Sequence, residues 1–293
     1  MLQAHDRDLQ LGGRRGRRAQ RRSVRLKPRQ PQRSGEGFKS LRILILLLVL
    51  LGVAMSTWLD RYRSTRWHAP LYVSIYPIAA DDSPVTARYL ATLDADHFKR
   101  IDEFFSREGA RYHVDTDQPV KSRLRSVLLE RPPRREPDAG LFATALWSLR
   151  LRYWAWRVSG HVKEPEDIRI FVLYHDPALT PTVPHSLGLT KGLIGVVYAF
   201  AAPEMNGSND VVVAHELLHT LGASDKYVSA NDAPRFPDGY GDPHQVPLFP
   251  QQWAELMAGR RMLSADRWQQ ADSLDEVVIG PATALEIRWP VHL

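Results

Sequence analysis

The chain has 293 residues, no cysteine, 44% hydrophobic and 25% charged residues. That composition suits one large globular domain or two small ones and excludes collagen, a disulfide scaffold and a wholly disordered chain. The formal charge of +6 is uneven: residues 1–42 hold 13 Lys/Arg against Asp6, Asp8 and Glu36, a net of +10 that leaves the remainder mildly acidic at −4.

Residues 1–40 are rich in Arg, Gln, Gly, Pro and Ser and have almost nothing apolar to bury, so they are expected to be a disordered basic tail. From Ile43 to Leu59 no charge interrupts an apolar run bounded by Arg42 and Asp60. The run reads as one transmembrane signal-anchor helix over 41–59, with Trp58 at an interface. Because the basic excess precedes it, the N-terminus is expected inside, in a single-pass inner-membrane topology. Residues 60–293 would then be periplasmic or extracellular. The tail would meet anionic lipid headgroups, and no specific nucleic acid is expected as a partner. Ala54-Met55-Ser56 offers small residues for a cleaved signal peptide, but a 42-residue charged leader is long for one.

Beyond the run, strand and helix patterns alternate. Leu71–Ile78 reads as a strand, and Asp94–Glu108 as a helix with Phe98, Ile101, Phe104 and Phe105 on one face. Arg131–Pro137 is a Pro/Arg-rich loop leading into a Leu- and Trp-heavy helix from about Asp138 to Val158. Two further strands follow, Ile168–Tyr174 and Leu193–Phe200. The order predicts an α+β or α/β layer with helices on a sheet, in which 60–160 precedes a core over 161–293.

Gly207-Ser208-Asn209-Asp210 supplies capping residues for a helix running from Val211 to Leu221 and stopping at Gly222. Its three valines are poor helix formers, so packing must hold it. His215 and His219 lie one turn apart on one face, the spacing at which two imidazoles share a tetrahedral Zn²⁺. Glu216 sits about 100° round the helix, near the metal without needing to bind it. Gly222 can take a positive φ and turn the chain back, so that Asp225 supplies a third ligand.

The run His215-Glu216-Leu217-Leu218-His219-Thr220-Leu221-Gly222-Ala223-Ser224-Asp225 resembles the metzincin clan of zinc metallopeptidases, with Asp225 where most members carry His. The resemblance implies a twisted mixed sheet whose edge strand overhangs the cleft, an active-site helix, and a Met-containing turn that floors the metal. Gln251–Gly259 is similar to that turn, with Met257 as its methionine, and Gly188–Phe200 to the edge strand. It also implies one catalytic Zn²⁺, a peptide or protein substrate, and Glu216 as general base in peptide-bond hydrolysis. Tyr227 and Tyr240 are candidate donors to the tetrahedral intermediate. Two alternatives remain open: a zinc protease with Glu255 as third ligand, and a non-proteolytic zinc-binding envelope protein. His175, His185 and His244 read as ordinary polar histidines, and the pairs Asp81-Asp82, Asp94/Asp96 and Asp115/Asp117 as turns and caps, since none has the glycine and terminal Glu of a calcium loop.

Overall fold

The computed structural model describes residues 39–48, 50–52, 55, 67–134, 136, 140–160, 164–189 and 193–291. The chain divides into two units, Met1–Leu50 and Leu51–Leu293. The expected tail lies outside the described residues up to 38, as does part of the expected span. Of that span 41–48, 50–52 and 55 are helical, with exposed side chains. Among the described residues no helix is long and apolar enough to cross a membrane.

The larger unit is a mixed α+β fold around a five-stranded sheet of order β2-β1-β3-β5-β4. The strands are β1 (Leu71–Ala79), β2 (Val120–Leu124), β3 (Ile168–His175), β4 (Leu187–Leu189) and β5 (Ile194–Phe200). The first three and β5 run parallel, and β4 alone is antiparallel, on the edge beside β5. The run Leu193–Phe200 is thus an interior strand, and the edge falls to the short segment before it.

Parallel strands buried on both faces read as continuous apolar runs, and β1, β3 and β5 do. Alternation sorts them into two cores. Val73, Ile75, Ile170, Val172 and Val197 face helices α1 (Pro84–Thr92), α2 (Lys99–Arg111) and α4 (Asn206–Leu221). Tyr76, Phe171, Leu173 and Val196 face Leu151 and Trp154 of α3 (Leu141–Ser159) on the other side. Ser83 caps α1, its hydroxyl accepting from Val85 N; Ile101, Phe104 and Phe105 are buried on α2 as the periodicity predicts, and Phe98 is buried at the N-cap of that helix, which starts at Lys99 and not at Asp94.

Helix α4 begins at Asn206, five residues before its valine run, so the expected capping residues are inside it. Asn209 instead fastens the helix to the end of β5, its side chain accepting from Phe200 N (3.1 Å) and donating to Phe200 O (2.9 Å). Val211 and Val213 are buried in the core that the helix shares with the sheet and the segments after it, which supplies the packing their low helix propensity requires. After α4 the chain is mostly irregular. It forms a hairpin of β6 (Tyr227–Val228) and β7 (Ala233–Pro234), a small sheet of β8 (Ala254–Glu255), β9 (Arg260–Met262), β10 (Trp268–Gln270) and β11 (Val277–Val278), and the closing helix α5 (Pro281–Glu286). Leu256, Met257, Ile279 and Ile287 join the core beneath α4.

Candidate metal centre

Three elements converge where α4 ends. Gly222 adopts φ +107°, and Ala223 N and Gly222 N bond back to the carbonyls of Leu218 (3.0 Å) and His219 (3.1 Å), closing the helix with a left-handed residue that a side chain would strain. The chain reverses there and returns Asp225 to the face that carries both histidines. Its Oδ1 lies 3.2 Å from Nε2 of His215 and 3.1 Å from Nε2 of His219.

The other ring nitrogens decide what this means. Nδ1 of His215 donates to the carbonyl of Leu256 (3.0 Å), and Nδ1 of His219 to the carbonyl of Ala223 (2.8 Å). A carbonyl can only accept, so each neutral imidazole keeps its one proton on Nδ1 and turns a bare lone pair from Nε2 toward a carboxylate. Three acceptors set this close demand a positive charge between or upon them, either imidazolium protons or a cation. The edge of a tetrahedral zinc site, at bond lengths of 2.0–2.2 Å, is about 3.4 Å, close to the spacings seen. Carbonyl anchoring of Nδ1 is also how metal-bound histidines are oriented.

The electrostatics agree. Burial opposes ionisation of Asp225, but bonding to both histidines and their charge outweigh it and hold the carboxyl well below its usual range. Burial likewise opposes protonation of His219, yet Asp225, Glu216 and the Ala223 carbonyl together raise its pKa. The centre attracts positive charge whatever its carrier.

Glu216 is 5% exposed, and its Oε2 is buried with no hydrogen-bond partner among the described residues. Burial raises its pKa, partly offset by the two histidines. A buried, unpartnered carboxylate oxygen is costly unless something occasional occupies it, as expected of a group that handles protons. His215, Glu216 and His219 form a group that could hold a metal ion, their donor atoms all within 4.8 Å of one another.

The group opens into a cleft of about 470 Å³ that also contains Asp225, Tyr227, His185 and Arg260. One wall is the segment 182–186 that leads into β4, and in β4 Gly188 packs so closely on α4 that a Cβ would fall 2.4 Å from Cβ of His219 and 2.6 Å from the carbonyl of Glu216. The turn after β8 forms the underside. Gly259, at φ +65°, closes it through a bond to the Glu255 carbonyl (2.8 Å), Leu256 anchors His215, and Met257 is fully buried.

Sequence and structure part company at three residues. Glu255 is not on a helix and lies outside the His215, Glu216 and His219 group: it is fully buried in β8, where its carboxylate accepts from Ala258 N (3.0 Å), Gly280 N (3.2 Å) and Thr283 Oγ1 (2.6 Å). Tyr240 is absent from the cleft wall and packs on Phe236 and Phe249. Tyr227 does line the cleft, with the guanidinium of Arg260 5.6 Å from its ring centre, and burial and the nearby Asp225 carboxylate raise its pKa. His185 lies in the cleft wall, whereas His175 packs on Tyr198 and His244 lies in a surface loop. The acidic pairs behave as turns: Asp81 accepts from Ser83 N, Asp94 from Asp96 N, and Asp115 pairs with His68.

What sequence reasoning missed is mostly backbone. The Leu256 and Ala223 carbonyls carry no residue-type signal, and Gly188 stood out only as the start of a strand. Lys226, beside the third donor, is buried and donates to Glu286 Oε2 (2.7 Å) and to Ser224 O and Oγ (3.0 and 2.9 Å), which fixes the loop that presents Asp225. No family model and no curated protein matches the chain.

Proposed function

We propose that the chain is a zinc-dependent endopeptidase of metzincin type, with His215, His219 and Asp225 as the three protein ligands and Glu216 as general base. The observation that carries the reading is the meeting of both Nε2 lone pairs with Asp225 Oδ1, each ring being held the wrong way round to donate. When bound, Zn²⁺ supplies Lewis acidity and lowers the pKa of a coordinated water toward neutrality.

The protein's own part is positional. Glu216, kept dry and short of hydrogen bonds, accepts a proton from the attacking water and passes it to the leaving amine. No acyl-enzyme is required, in keeping with the lack of a Gly-x-Ser-x-Gly nucleophile motif. The edge strand β4 offers backbone groups to which an extended peptide can add as a further strand, so that it is held without its side chains being read. Asp225 in place of a third histidine adds a negative charge and leaves the metal a weaker Lewis acid. Tyr227, in the cleft wall, is the candidate donor to the tetrahedral intermediate.

The test is zinc content and hydrolysis of an unfolded protein by the full chain, beside Glu216→Gln. One zinc in both, with hydrolysis lost by a factor of about 10²–10⁴ in the variant, is expected. One zinc with no hydrolysis by either would favour a zinc-binding envelope protein, and no zinc in the parent would end the proposal.

A further inference from the structure

Helix α3 packs on the sheet through Leu151, Trp154 and Ala155, yet its opposite face is also apolar. Phe142, Leu146, Leu149, Tyr153 and Trp156 recur at alternating spacings of four and three, and each is between 39% and 83% exposed. At about 100° per residue these five form one stripe along the helix. Leu129, fully exposed, lies beside its C-terminal end, where Glu130 pairs with Arg157. A helix apolar on both faces is one that expects cover on both, and a stripe of this size is uncommon on a solvated surface.

The charges choose the cover. The helix carries Arg150, Arg152 and Arg157 and no acidic residue. On the wheel Arg150 and Arg157 fall roughly 60–80° to one side of the stripe and Arg152 about 80° to the other. A second copy laid on the stripe would bring like charges together along its length. An anionic bilayer instead accepts the apolar stripe below its headgroups and the guanidinium flanks among them, with Tyr153 and Trp156 at the depth such rings favour. The uncharged run 43–59, whose composition reads as a span, ends eleven residues before β1, which would keep this domain at a membrane.

We infer that the exposed face of α3 is a membrane-surface site for anionic phospholipid, distinct from the basic tail. It does not depend on the metalloprotease reading. Since the chain has no cysteine, Leu149→Cys offers a single attachment for an environment-sensitive fluorophore. Val246→Cys, in a fully solvated loop, is the reference. The full chain is reconstituted into phosphatidylcholine vesicles with and without phosphatidylglycerol. A blue shift at 149 quenched by nitroxide-bearing lipid, stronger with phosphatidylglycerol and absent at 246, is expected. Adding Arg150→Gln should lower the bilayer-docked population of α3 about fivefold. A label at 149 as solvated as that at 246 would overturn the inference. So would a shift that lipid nitroxides fail to quench and that grows with protein density, because a second copy would then be the cover. Zinc content of the same samples reports separately on the metal centre.

Discussion

Gly188 of β4 and His219 of α4 touch without room for a methyl group: a Cβ on the glycine would lie 2.4 Å from Cβ of the histidine and 2.6 Å from the Glu216 carbonyl. Neither contact is the free end of a flexible side chain. Gly188→Ala must therefore push the strand away from the helix, at a cost of about 1–3 kcal/mol, and tilt His219 from its partners. Zinc affinity is expected to fall at least tenfold together with the melting temperature. Gly195→Ala is the control, because its Cβ would meet only the side chain of Ile170, the terminal methyl first; it should lower stability and leave zinc affinity unchanged. Equal zinc affinity in the Gly188 variant would show that β4 does not position the centre.

The third ligand is decided by a pair of substitutions. Asp225→Ala removes the one carboxylate oxygen within 3.2 Å of both imidazoles, and zinc affinity should drop by on the order of 100-fold or more. Glu255→Gln leaves the centre alone but disturbs a carboxylate with three buried donors, at about 1–3 kcal/mol of stability. Isothermal titration with zinc alone distinguishes the two. Loss of zinc from the Glu255 variant, with the Asp225 variant still binding, would reverse the assignment.

How much of the fold could be read from the chain follows from where the information resides. Strands β1, β3 and β5 and helices α2, α3 and α4 were legible because burial on one face or two imposes a period on residue type. The histidine pair, Gly222 and Asp225 were legible because a helical turn and a left-handed cap fix their relative positions locally. Strand β4, three residues long, has no period to read, and its edge place depends on pairing with β5. The little strands after α4 are likewise set by distant partners: β8 pairs with β11, and Glu255 is bonded by Thr283. Side chains whose partners lie 28 residues away leave no trace in local spacing.

Lys226 illustrates the same point and can be tested. Its side chain is 2% exposed and its ammonium is held by Glu286 and Ser224, while burial of the Glu286 carboxyl is outweighed by Lys226 and Ser224, which lower its pKa. Glu286→Ala strands a buried cation and is expected to destabilise by about 3 kcal/mol and to weaken zinc binding through the loop bearing Asp225. Lys226→Met with Glu286→Leu should recover much of the stability, since two apolar groups replace the pair. Thermal melts of the single and double variants measure this. A double variant no better than the single would show that the pair, and not the stranded charge, sustains the loop.

Asp210 gives the fold a pH dependence of definite sign. It lies on α4 upstream of the histidines and is 4% exposed. Burial pushes its pKa from 3.8 up to about 7, against the weaker pull of Arg100. Between those values the folded protein holds a proton that the unfolded chain has released, so this residue makes stability fall as pH rises from about 4 through about 7. Asp210→Asn removes the ionisation while keeping the shape. The variant is expected to match the parent near pH 4 and to exceed it by about 1–3 kcal/mol at pH 8. Urea unfolding of both proteins at the two pH values isolates the effect, because every other titrating group is common to them. A parent that gains on the variant as pH rises would mean that the Asp210 carboxylate is ionised and paired in the native state, with Arg100 winning over burial.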